Sequence, residues 1–183
     1  MLATAADLFA TRGYEATNLM DISEAAGVGR TTFYHYFGSK EAILERLVGD
    51  LTHGLIALLD NVSVRDDASS SRQLYEVVSS LAGRLMEHPL QFKVIDRNLP
   101  ALPVEIQSRY LAARQSIRSL LTRIIAKGTA ANEFRSVDPA LHALVIIGMC
   151  SRSIYWLEDV DHYSRAEIVG VIAELALKGL QNR

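Results

Sequence analysis

Cysteine is nearly absent from this chain: Cys150 is the single one among 183 residues. One thiol cannot close an intrachain disulfide, which excludes a small secreted scaffold held by such bridges. It sits in the apolar run 143–150, where a buried and inert thiol is expected. Proline is scarce too, and Pro89, Pro100, Pro103 and Pro139 all fall where helices should start or break. No stretch reaches the ~18 consecutive apolar residues of a membrane-spanning helix. The first seven residues carry neither a basic region nor a long apolar one, so no secretory signal is expected there, and the expected compartment is the cytoplasm. A basic excess is missing as well: 19 Lys+Arg stand against 21 Asp+Glu, a formal charge of −2. The whole-chain charge therefore gives no hint of nucleic acid or an anionic membrane.

What is present is helical patterning. The chain is 49% hydrophobic and 22% charged, which excludes global disorder. A chain of this length buries roughly 70% of its unfolded surface, enough for a real core. In the first 50 residues the pattern predicts several short helices. Leu2, Ala5, Ala6 and Phe9 share one face of the first, which Gly13 closes. Thr17 or Asn18 caps a second, with Leu19, Ile22 and Ala26 inward and Gly27 as its stop. A third covers about 30–37, and Ser39 caps a fourth whose stripe includes Ile43, Leu47, Leu51 and Leu55. The polar segment 61–70 is the expected linker. Longer helices follow over about 71–88 and 103–127, the latter ended by Gly128, with a short one over 90–99 between them. Asp138-Pro139 and the capping box Ser164-Arg165-Ala166-Glu167 start the final two.

Residues 21–37 carry the functional signal. Two short helices joined by a glycine turn must pack steeply to form a helix-turn-helix. Ile22 and Ser23 suit the close approach of the two axes, and Gly27 suits a turn of positive φ. Val28 and Phe33, with Tyr36 and Phe37 as further candidates, supply the inward side of the second helix. Gly29, Arg30, Thr31, Thr32, Tyr34 and His35 are left to face outward, the donor types expected of a helix entering a major groove. Lys40, beside the Ser39 cap, places an ammonium where a DNA phosphate could sit. Residues 1–50 hold four basic and seven acidic side chains, yet 27–40 hold Arg30 and Lys40 and no acid.

Leu8-Phe9-Ala10-Thr11-Arg12-Gly13-Tyr14, Thr17, Asp21-Ile22, Ala25-Ala26-Gly27-Val28, Phe33-Tyr34-His35-Tyr36-Phe37 and Ser39-Lys40-Glu41-Ala42-Ile43-Leu44 resemble the DNA-binding domain of TetR-type transcriptional regulators. The resemblance implies an all-α fold: an N-terminal helix-turn-helix domain of three helices over 1–48, then a larger effector-binding and dimerisation bundle over 49–183. It implies a homodimeric repressor that binds a pseudo-palindromic operator. It places Thr17, Arg30, Thr31, Thr32, Tyr34, His35, Tyr36 and Lys40 at the DNA, with Tyr34 and Lys40 on phosphates. Gly29 and Met20 stand where members often carry a polar and a basic residue, so those contacts are expected to be lost. Members also usually carry a basic arm before the first helix, whereas Met1 here lies at its start.

For the second domain, the helices over 143–150 and 168–180 are apolar on two sides, and each needs a second surface to bury. Leu144, Ile147, Gly148, Ser151, Ile168, Ile172 and Leu175 are the expected interface between two copies. Met86, Phe92, Ile95, Leu99, Tyr110, Ile117, Leu121, Met149, Arg152, Tyr155 and Trp156 are the expected effector-binding set, though such spacing also describes plain core. With no charge clearly placed among the apolar members, an apolar or amphipathic small molecule is the expected effector. The five histidines lack metal-ligand spacing on one helix, and 158–162 reads as a solvated acidic loop. With no phosphate loop or nucleophile elbow either, no enzyme activity, cofactor or metal is expected. The competing reading is an all-α ligand-binding or adaptor protein that no longer binds DNA. The expected partners are operator DNA, the effector and a second copy, without a membrane.

Overall fold

The computed structural model describes residues 1–63, 68–160 and 162–182. Those residues form nine α-helices: α1 (Leu2–Thr11), α2 (Leu19–Ala25), α3 (Arg30–Phe37), α4 (Lys40–Ser63), α5 (Ser70–Glu87), α6 (Pro89–Asn98), α7 (Val104–Ala130), α8 (Pro139–Trp156) and α9 (Arg165–Lys178). The fold is therefore all-α, and the one β contact described is an isolated antiparallel bridge between Phe134 and Gln181. None of the described helices is long and apolar enough to cross a membrane. Of the expected linker, 61–63 continue α4, and 64–67 lie outside the described residues. Asp161 of the acidic loop does too.

Side-chain caps mark the starts of α2, α8 and α9. Asn18 accepts from the Met20 and Asp21 amides while Asp21 accepts from the Asn18 amide, a complete capping box at α2. Asp138 caps α8 with Pro139 at its first position, and Ser164 with Glu167 closes the box at α9. One expectation is overturned. Gly128 does not end α7, which runs on to Ala130; a β-carbon there would collide with the Phe134 ring. Its missing side chain makes room for Phe134, and the left-handed residue after the helix is Asn132 (φ 58).

The chain folds as two compact units. The first joins Met1–His53 to His88–Leu111, so α6 packs on α1 within the unit that carries the helix-turn-helix. Phe9, Ile22, Phe33, Ile43, Leu44, Val94 and Ile95 are among its buried side chains. The second joins Gly54–Glu87 to Ala112–Arg183, and here α5 packs on both α8 and α9. Leu74, Val77, Leu121, Ile125, Phe134, Cys150 and Ile154 are buried in it. Burial pushes the Cys150 thiol up to about 12, which keeps it protonated and unreactive.

Candidate nucleic-acid interface

The helix-turn-helix is assembled as its residue types require. Ile22 and Ser23 are buried at the α2–α3 crossing, and Gly27 takes φ +63 in the turn. The Val28 amide reaches back to the Ser23 carbonyl at 3.0 Å and fixes the approach of α3. On α3 only Phe33 is buried, with the half-buried Phe37 ring 5.1 Å from it. Arg30, Thr31, Thr32, Tyr34, His35 and Tyr36 are all exposed, so Tyr36 faces out rather than into the core. A helix that turns one small apolar face inward and six polar or aromatic residues outward gains little by folding alone. Its outward side is available for a partner.

Electrostatics sharpen that face. Arg30 opens α3 and its guanidinium lies 5.5 Å from the Tyr34 ring centre, a stacking that narrows where the charge points. A guanidinium stacked on a ring keeps its in-plane N–H donors, which suit a guanine edge or a phosphate.

Two of the residues expected at the DNA, Thr17 and Lys40, bond the chain's own backbone. Thr17 is 1% exposed, and its hydroxyl donates to the Gly13 carbonyl at 2.8 Å, closing the turn between α1 and α2. Lys40 is half-buried; its ammonium donates to the Tyr14 carbonyl at 2.8 Å and lies 4.2 Å from the Tyr14 ring. Tyr14 is itself buried, and its hydroxyl faces Glu41 Oε1 at 3.3 Å. Burial first, then the Glu41 charge, pushes the Tyr14 phenol far above its usual range, so it stays neutral.

The turn around Tyr14 also rests on residues that sequence reasoning missed. Asn98 and Arg97, at the end of α6, reach α1 and Tyr14 across more than 80 positions of chain. No local signal marks them, because their partners are backbone groups that any residue would offer.

The expected effector set is divided by the fold. Phe92, Ile95, Leu99 and Tyr110 belong to the first unit; Met86, Ile117, Leu121, Met149, Arg152, Tyr155 and Trp156 belong to the second. Phe92, Ile95, Tyr110, Met86, Ile117 and Leu121 are buried, while Leu99, Met149 and Tyr155 are half-buried. Arg152 is exposed, its guanidinium 4.3 Å from the Tyr155 ring, and Trp156 is 39% exposed. An open groove of ≈ 390 Å³ in the first unit is lined by Ala42, Glu45, Arg46, Gly49, Asp50, His53 and Arg109, none of them in that set.

Of the expected interface residues, Ile147, Ile168 and Ile172 are buried within the chain's own core. Leu144 and Leu175 are 45% and 58% exposed, Gly148 is exposed, and Ser151 is half-buried.

Residues 1–47 match the family model of bacterial regulatory proteins of the tetR family, and 67–180 match the tetracyclin repressor-like C-terminal domain. The chain belongs to the TetR family. It is a DNA-binding transcriptional regulator, and its relatives are regulators rather than enzymes. The fatty acid metabolism regulator protein of Bacillus subtilis (strain 168) is 23% identical, across 100% of this chain and 95% of its own. The crystal structure of PfmR, a TetR family transcriptional regulator from Thermus thermophilus, superposes with a TM-score of 0.82 at 28% identity, over 99% of this chain and 98% of PfmR. AibR, solved in complex with isovaleryl coenzyme A and operator DNA, shares the fold with a TM-score of 0.76 at 22% identity, over 98% of this chain and 95% of its own.

Proposed function

We propose that this TetR-family chain acts in the cytoplasm as a homodimeric repressor, binding a pseudo-palindromic operator through α3 and released by a small apolar or amphipathic effector. The observation that carries the reading is α3 itself: Phe33 buried, with Arg30, Thr31, Thr32, Tyr34, His35 and Tyr36 exposed on the other sides. In this reading Arg30, Thr31, Thr32 and His35 meet base edges or backbone, Tyr34 meets a phosphate, and Tyr36 and Lys40 flank them. Functional division follows the chain, with 1–48 carrying the DNA contacts and 49–183 the effector site and dimerisation.

Dimerisation is supported by an exposed apolar face. On α8, Leu141, Leu144 and Val145 are 56%, 45% and 55% exposed, and on α9 Val171 and Leu175 are 57% and 58% exposed. Gly148 continues the α8 stripe, and a side chain built there would meet no atom within 4 Å. Clustered exposed apolar side chains on a helix face support an interaction site. For the effector, AibR was solved with isovaleryl coenzyme A, an amphipathic thioester of the class expected. We place Met86, Ile117, Leu121, Met149, Arg152, Tyr155 and Trp156, the members of the effector set that belong to the second unit, around such a molecule.

The test is selection from a random duplex library by the purified protein, followed by titration of the recovered duplex. An inverted-repeat motif, released by coenzyme A thioesters and not by free coenzyme A, is the expected outcome. Recovery of no motif contradicts the operator, and release by none of a graded thioester series contradicts the effector class.

A further inference from the structure

We propose that Asn98 and Arg97, at the end of α6, are positioning residues for operator recognition, holding the α1–α2 turn from which the helix-turn-helix is launched. The inference rests on α3 being the reading helix.

The last carbonyls of α1 have no partner within that helix. Arg97 Nη1 donates to the Ala10 carbonyl at 2.6 Å, and Asn98 Nδ2 lies 3.5 Å from the Phe9 carbonyl. A guanidinium at a helix C-terminus is favoured by the helix dipole and by its charged hydrogen bond. Asn98 does a second thing: its Oδ1 accepts from the Tyr14 amide at 3.1 Å, while its Nδ2 is braced on the Val94 carbonyl at 2.7 Å. The amide group is thereby held in one orientation, with its acceptor aimed at the turn.

Tyr14 is where the two sides meet. Its amide is taken by Asn98 from α6, its carbonyl by Lys40 from α4, and its ring packs edge-on against Phe9 with centroids 5.1 Å apart. Gly13, at φ +94, makes the reversal that brings Tyr14 there, and Thr17 locks the turn by bonding back to the Gly13 carbonyl. Asn18 then opens α2 at once. From Tyr14 to the α2 cap is a short path, closed by the Thr17 amide on the Tyr14 carbonyl at 3.3 Å. A displacement of the Tyr14 peptide is passed to α2, and through the buried Ile22–Ser23 crossing to α3. A reading helix misplaced by an ångström keeps its charge but loses base-edge geometry. Segment 88–111, which the chain reaches only after α5, therefore helps set the seat of a helix about 60 residues before it.

The distinguishing readout is the ratio of affinities for the selected duplex and a scrambled duplex of equal length. Support of stability alone would lower the folded fraction and leave that ratio unchanged. Asn98→Ala is expected to keep helical content and scrambled-duplex affinity, and to lower the ratio about five- to twenty-fold, the range of one or two lost hydrogen bonds. Its salt dependence on the selected duplex is expected to match wild type, because no phosphate contact is removed. Should Asn98→Ala fail to fold, Asn98→Ser, too short to span both partners, carries the same expectation. A ratio equal to wild type in the folded variant overturns the inference, whatever its stability. Arg30→Ala, measured alongside, separates the two claims: a ratio unchanged there contradicts the reading by α3 itself.

Discussion

A hydroxyl buried at a turn and a hydroxyl facing solvent are read by the same three letters, and Thr17 is the buried kind. Its bond to Gly13 holds the turn before α2, 1% exposed. Thr17→Ala is expected to cost about 1 kcal/mol of stability, the order of a lost intramolecular hydrogen bond, measured by chemical denaturation. Its operator binding should keep the wild-type salt slope; a slope lower by about one would show a phosphate contact instead. Lys40 poses the same question, since its ammonium already bonds the Tyr14 carbonyl. On α3 the residue types placed Phe33 inward but left Tyr36 open, and the structure exposes it. A single buried Phe33 fixes the helix's rotation, and the polar residues around it must then face out. Residues 1–50 could not reveal where Thr17 and Lys40 point, because their partners are backbone carbonyls, which leave no mark in a sequence.

At the scale of elements, the caps were legible and the long-range braces were not. Asn18, Asp138 and Ser164 each announce a helix by a residue type and a fixed offset. Gly128 carries the same stop signal, yet α7 passes through it because Phe134 needs the space. Glu133 is a brace of the second sort. Its carboxylate accepts from the amides of Ser70 and Ser71 at 3.0 Å each, capping α5 from 62–63 residues away. The Ser71 amide, joined by that of Ser70 and opposed by partial burial, holds the Glu133 carboxyl below its usual range. A carboxyl lowered on folding contributes stability above its unfolded value, about 4.3, and loses it as pH falls through the lower folded value. Glu133→Gln is therefore expected to narrow the stability difference between neutral and acid pH. The check is urea unfolding across pH 3 to 7; parallel curves for both proteins would contradict it.

For the whole molecule, the charge balance of −2 misled in one direction only. It speaks against strong non-specific binding, whereas the specificity proposed for α3 is local. The all-α class and the helix-turn-helix were readable from periodicity and turn residues, because each is a local pattern. The extent of the compact units was not: α6 joins the first unit through packing on α1, which no composition shift announces. Two-sided apolar helices raise the question of a second copy, but their pattern could not say which side faces inward. Burial takes Ile147, Ile168 and Ile172 inward and leaves Leu144 and Leu175 exposed. Leu144→Glu with Leu175→Glu is thus expected to give a folded monomer in sedimentation equilibrium, with operator affinity falling by orders of magnitude as two half-sites are no longer bound together. An unchanged dimer would move the interface elsewhere.

The most direct test of α3 as the reading helix is a titration of the selected and scrambled duplexes over a range of salt, with wild type and Arg30→Ala. Wild type should lose affinity for both duplexes linearly in log salt while preferring the selected one. Arg30→Ala should lose about 1–3 kcal/mol on the selected duplex and far less on the scrambled one. Equal affinities of the two proteins for the selected duplex at every salt concentration would contradict the account.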